Sequence, residues 1–273
     1  METVNAIQII DILGTNSIPI RILADDAEIY FAKTIFKTHP PLEDIINEFI
    51  GNIIYSSWGI RVPEIKIVKI ENHLLQTFIS ENNLKSKYSQ YNIEELFVIG
   101  TKEIENQTEL DLHNMTITNK TDFNKFLDPY TFLDIAFCDI WLANKDRHIK
   151  NTNLLLIEKH RKLDFVAIDH TQLFANQNNY KQLRIPLMDS DLTNMLIRSD
   201  FTKKICKFAD KEVISNYSHR IVHKIQNTLN ILPDRLEALP SEIGLSNAGK
   251  QKIIEILENQ KRIDRIANKL NTF

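Results

Sequence analysis

The sequence predicts an α+β chain in two lobes, the first an antiparallel sheet with one helix and the second mainly helical with a β hairpin inside it. Three observations carry this expectation. Residues 1–36 alternate the short apolar runs IQIIDIL, IPIRIL and EIYFAKTIF with the turn signals GTNS and ADDAE, a pattern of strands joined by hairpins. From about residue 121 the runs lengthen and take helical spacing. Between two of the helical stretches lie NLLLI (153–157) and LDFVAI (163–168), separated by EKHRK, a hairpin candidate. The expected division is a first lobe over 1–104 and a second over 105–273.

Each element follows in order. His39-Pro40-Pro41 ends the opening sheet and introduces LEDIINEFIGNIIYSSWG. Its Ile45, Ile46, Phe49, Ile53 and Ile54 fall at i, i+3, i+4 spacing, so an amphipathic helix is expected, with Pro at its start and Gly59 past its end. VPEIKIVKI and LFVIG (96–100) read as further strands, and the polar stretch over roughly 80–95 as a loop. DPYTFLDIAFCDIWLA, DLTNMLIRSDFTKKICKFA, VISNYSHRIVHKIQNTL and AGKQKIIEILENQKRIDRIANKL read as helices.

Composition narrows the classes of function. With 273 residues, 43% of them hydrophobic and 25% charged, the chain is long enough to bury a sizeable core. A formal charge of −3 gives no basic footprint for direct nucleic-acid binding. The longest apolar runs are broken by aspartates and fall short of the ~20 residues of a membrane helix, so no membrane association is expected. The two cysteines, Cys138 and Cys206, give no disulfide framework, and METVNAIQII lacks the features of a signal peptide. A cytoplasmic location is the expectation.

The chemistry is read from WLANKDRHIKN (141–151) and the hairpin that follows it. Asp146 and Asn151 stand in D-x-x-x-x-N spacing, and the hairpin's second strand ends at Asp169. One amide oxygen and two carboxylates form an all-oxygen set that suits Mg²⁺, which keeps waters and shares substrate phosphates, so ATP is the implied co-ligand. The spacing is that of a phosphotransferase catalytic loop, with Asp146 orienting the acceptor hydroxyl and Asn151 on the metal. Asp169 supplies the second metal ligand. Such a site also needs a cation for the phosphates. In EIYFAKTIF, Lys33 sits in a strand after an alanine, Glu48 on the next helix is its ion partner, and the turn Gly14-Thr15-Asn16-Ser17 offers N–H groups and hydroxyls to cover phosphates. These elements occur in the chain order of a two-lobed, protein-kinase-like fold.

Taken together, the stretches IYFAKTIF, INEFIGNIIYSSWGIRVPEI, WLANKDRHIKN and FVAIDHTQLF make the sequence resemble the HipA-like kinases of bacteria. The D-R-H-x-x-N motif is shared with phosphoinositide kinases and their protein-kinase relatives. The resemblance implies that Asp146 is the catalytic acid-base residue, that Asn151 and Asp169 hold Mg²⁺, and that Lys33 and Glu48 serve the ATP phosphates. His148, or in competition with it Lys150, is the implied γ-phosphate or transition-state contact. It further implies a serine or threonine acceptor in a protein, autophosphorylation with Thr15 and Ser17 as candidate sites, and an antitoxin-like protein partner. Two departures stand out: no G-x-G-x-x-G loop is present, and Ile168-Asp169-His170-Thr171 lacks the glycine usual after the acid in this group. They keep open the alternative of a nucleotide-binding pseudokinase acting as an interaction module. The shared motif keeps open a lipid or small-molecule acceptor.

Overall fold

The computed structural model describes residues 2–13, 19–34, 42–82, 96–177, 179–189 and 196–268. It divides into two compact units, one of 1–46, 63–105 and 240–244, the other of 47–62, 106–239 and 245–273. Glu48 therefore belongs to the unit that carries WLANKDRHIKN.

In the first unit, β1 (Thr3–Ile12), β2 (Ile20–Ala24), β3 (Ile29–Thr34), β4 (Ile65–Ile70) and β5 (Leu96–Lys102) close into a barrel in the order β1-β2-β3-β5-β4. The expected all-antiparallel sheet needs one correction, because β4 runs parallel to β1, with Val4 opposite Val68. No hairpin joins these two strands, and the long excursion between them is the type of connection a parallel pair requires. Alternation along β2 turns Ile20, Ile22 and Ala24 inward, where they meet Tyr30, Ala32, Val68 and Val98. A second correction is helix α2 (Asn72–Glu81), in a stretch where no helix was expected; its Leu75 and Ile79, one turn apart, close the barrel core. α1 (Leu42–Ser57) is the expected amphipathic helix. The 83–95 part of the expected loop lies outside the described residues.

The second unit carries the hairpin at its expected place, as β7 (Leu154–Lys159) and β8 (Lys162–Ala167), with β6 (Gln107–Glu109) added beside β7. After the short α3 (Lys120–Phe123) comes α4 (Tyr130–Leu142), in which every residue from Phe132 to Leu142 is buried. A helix apolar on all sides belongs in a core. Its Phe132 packs on Phe165 and Phe201, and Phe126 stacks on Phe165 at 5.0 Å. Arg262, itself buried, donates to the carbonyls of Ile140 (2.6 Å) and Trp141 at the end of α4. It satisfies acceptors that a helix end leaves open.

After α5 (Ile185–Asp189), the three later helical runs resolve differently from their sequence pattern. DLTNMLIRSDFTKKICKFA is helical only as α6 (Asp200–Phe208), because Ser199 caps it by accepting from the Thr202 N–H; 191–195 lie outside the described residues. VISNYSHRIVHKIQNTL becomes α7 (Lys211–Ser215) and α8 (Tyr217–Glu237). The last run splits into α9 (Asn247–Leu257) and α10 (Gln260–Ala267), where Asn259 caps the Arg262 N–H. A polar cap residue inside an apolar pattern ends one helix and starts another.

Candidate active site

The site is assembled where α4 ends. Ala143 takes a left-handed conformation (φ 50°) as the helix cap, and the chain turns into Asn144-Lys145-Asp146-Arg147. Asn144 is buried and bonds in two directions. Its Nδ2 donates to Oδ1 of Asp139 on α4 (3.1 Å), and its Oδ1 accepts the N–H of Asp146 (3.1 Å). The catalytic-loop candidate is thus tied to the helix that delivers it.

Asp146 sits at the centre of an amide cage. Its Oδ2 accepts from Asn153 Nδ2 at 2.7 Å and its Oδ1 from Gln172 Nε2 at 3.3 Å. Asn151 donates through Nδ2 to the Asp146 carbonyl at 3.2 Å, which leaves its Oδ1 as the ligand end of the amide. His148 and Asn151 exchange backbone hydrogen bonds (2.8 and 3.1 Å), closing the loop on itself. His148 Nδ1 accepts the Lys150 N–H (3.2 Å), while the Lys150 side chain is exposed.

Asp169 follows β8 and has φ 53°, a backbone region that aspartate tolerates better than most residues. Both of its neighbours are held. Ile168 donates its N–H to the Asn153 carbonyl (3.0 Å) and accepts at its own carbonyl from Arg147 NH2 (2.9 Å). His170 donates its N–H to Glu48 Oε2 (3.1 Å), stacks on Tyr55 at 4.5 Å, and has Arg147 NH2 3.4 Å from its Nδ1. Gly51 makes room for it, since a Cβ there would lie 2.3 Å from the Cβ of His170. Asn47 completes this face of α1 by donating to the Thr171 carbonyl (2.6 Å). Asn47, Gly51 and Tyr55, spaced one turn apart, and Glu48 beside them grip the segment around Asp169.

Beneath the loop lies a fully buried ion pair, Arg147 with Asp139 (2.5 Å). Tyr55 donates its hydroxyl to Asp139 and accepts from Arg147 (2.8 Å). Burial opposes the Arg147 charge, but Asp139 and Tyr55 beside it hold the guanidinium protonated beyond its usual range. Burial also pushes the Tyr55 phenol well above its ordinary value, so it stays a donor. A single arginine therefore joins the catalytic-loop candidate to both flanks of Asp169.

Of the residues singled out from sequence, Asp146, His148 and Asn151 are brought together in one loop. Asp169 is tied to them through Asn153 and Arg147, and Glu48 through His170. Lys33 is buried on β3 in the first unit. Gly14, Thr15, Asn16 and Ser17 lie outside the described residues. Sequence reasoning missed Asn153, Gln172, Asp139, Arg147, Asn47, Gly51 and Tyr55. A signal was available in Asn47-Gly51-Tyr55, positions recurring every fourth residue along one line of the amphipathic α1.

For a divalent cation the donors are an amide oxygen and a carboxylate, both hard. They suit a metal that keeps several waters and takes the rest of its shell from phosphates. Among the described residues no group of three or more His, Cys, Asp and Glu is placed to hold a metal.

Solved structures place the fold in a class. Over 98% of this chain and 96% of its own, the Helicobacter pylori proinflammatory kinase CtkA superposes with a TM-score of 0.52 at 15% identity. The Golgi casein kinase does so over 98% of this chain and 73% of its own, with a TM-score of 0.51 at 9% identity. Both are kinases, and the fold of this chain is protein-kinase-like. At the level of sequence, the family model for HipA-like kinase matches residues 14–268. The chain belongs to the HipA-like kinase family. No curated protein matches it. Among the described residues no helix is long and apolar enough to cross a membrane.

Proposed function

We propose that this kinase transfers the γ-phosphoryl group of ATP, with a divalent cation, to a serine or threonine hydroxyl of a protein. The observation that carries the reading is the caged carboxylate of Asp146, bonded by Asn153 and Gln172, in a loop that Asn153 and Arg147 fasten to Ile168, the neighbour of Asp169. A carboxylate held by two amides has a fixed direction, as a base that must meet a hydroxyl needs. Asp146 orients the acceptor and receives its proton as the oxygen–phosphorus bond forms and the bond to the ADP oxygen breaks. Asn151 Oδ1 and the Asp169 carboxylate would hold Mg²⁺, which would supply positive charge against that of the phosphates. Lys33 is assigned to the α- and β-phosphates, Glu48 to positioning, His148, or in competition with it Lys150, to the γ-phosphate, and Gly14–Ser17 to covering the nucleotide. Nearly all the catalytic effect then comes from placement and charge.

Asp146→Ala tests this. Phosphate transfer should fall by at least ~10²–10⁴-fold, while binding of a fluorescent ATP analogue stays at the parent level. Transfer at the parent rate in this variant would overturn the assignment.

A further inference from the structure

Thr171 stands two residues beyond Asp169, and its hydroxyl donates to Asp169 Oδ1 at 2.8 Å, with its N–H at 3.4 Å from the same oxygen. The left-handed turn of the segment is made by Asp169 itself, φ 53°, and Thr171 is not among the residues with positive φ. The backbone of Thr171 is held without its side chain. Its carbonyl accepts from Asn47 Nδ2 (2.6 Å), and Asn47 Oδ1 in turn accepts from the Tyr180 hydroxyl (2.9 Å). The segment therefore does not need the Thr171 hydroxyl to keep its course, and among the described residues that hydroxyl bonds to the carboxylate.

From this arrangement we propose that Thr171 is a positioning residue for the metal: its hydroxyl fixes the plane of the Asp169 carboxylate and so sets the affinity of the site for a divalent cation. This rests on the reading of Asp169 as a metal ligand. A free carboxylate rotates about its terminal bond, and a rotated one meets a hard cation with its oxygens misdirected. Ligating carboxylates are characteristically hydrogen-bonded by an outer group, and losing that group costs roughly 10–100-fold in metal affinity. Threonine can serve here because its donor is neutral and leaves the carboxylate charge available to the cation.

The test is binding of Mn²⁺ in the presence of ADP, followed by the decline of the free Mn²⁺ electron-spin-resonance signal, on the full chain and its variants. Thr171→Val keeps the shape and removes the donor; Mn²⁺ should bind ~10–100-fold more weakly. Thr171→Ser keeps the donor and should stay close to the parent. Thr171→Gly also removes the hydroxyl and carries the same expectation as valine should the valine variant fold poorly. Asp169→Ala separates the two layers of the argument. If it binds Mn²⁺ as the parent does, the metal-site reading fails. If it loses the metal while the valine and glycine variants bind like the parent, the metal site stands and the role of Thr171 is overturned. Equal weakening in the serine and valine variants would overturn it too, because the hydroxyl would then not be the cause.

Discussion

Among the described residues ten non-glycine residues have positive φ, and eight of them fall between the end of α4 and the segment after Asp169, six of these, Ala143, Asn153, Asp169, Phe174, Ala175 and Asn176, outside the hairpin turn. Left-handed backbone costs an L-residue about 1–2 kcal/mol, and its concentration around the candidate site is the pattern expected where the backbone is bent to serve chemistry. His160 and Arg161 are different. They form the two-residue turn between β7 and β8, at φ 52° and 61°, and both are exposed. A turn with both central residues at positive φ favours Asn-Gly. The double variant His160→Asn, Arg161→Gly should raise stability by about 1 kcal/mol or more, read as a higher urea midpoint with phosphate transfer unchanged. At this scale the sequence was only partly legible. EKHRK announced a hairpin, and D-x-x-x-x-N announced Asp146 and Asn151. Asn153 was invisible, because its role depends on a carbonyl and an amide pointing in opposite directions, which no spacing rule encodes.

Among the elements, α1 and α4 do most to place the site, and both act through polar groups buried in apolar helices. Asp139 looks like a blemish in FLDIAFCDIWLA, yet it is the counter-charge of Arg147. Removing one member of a buried pair leaves the other without compensation, at roughly 3–5 kcal/mol. Arg147→Ala should therefore lower unfolding free energy by about that amount in urea titrations. Arg147→Lys should lose less, since it keeps a charge beside Asp139 while giving up the reach to Ile168. Helix existence was legible from apolar spacing, and helix ends were not. The breaks at Ser199 and Asn259 are made by side chains that cap a neighbour's N–H, and in an apolar-spacing pattern each reads as one more polar residue on a solvent face. α2 was overlooked because its apolar positions, Leu74, Leu75, Phe78 and Ile79, span barely more than one turn of a short helix.

For the whole molecule, the order of the parts along the chain carried more than any single part. A strand lysine, a helix glutamate, an Asp-Asn loop, a hairpin and an acid occur in that sequence, and the kinase-like fold and the HipA-like family agree with it. What order did not reveal was the parallel pairing of β1 with β4, because strand direction depends on the path between strands and not on their composition. A ligand that binds only the folded chain stabilises it, by about 2.7 kcal/mol at a concentration 100 times its dissociation constant. ATP analogue and Mg²⁺ together should thus raise the thermal midpoint, and a chelator should remove most of that gain. An unchanged midpoint with both present would count against nucleotide binding.

Closure of the five-stranded sheet bears on how an acceptor can be recognised. Among the described residues β1 and β4 pair over Thr3–Asn5 and Ile67–Lys69, so along that stretch the backbone N–H and C=O groups are not open for an extended peptide to join as a further strand. Main-chain recognition of that kind is indifferent to most side chains, and it is denied to this part of the molecule. The proposed protein substrate, meeting that stretch, would be told apart by its own side chains, so changing the residues beside its hydroxyl should matter more than making the peptide extended.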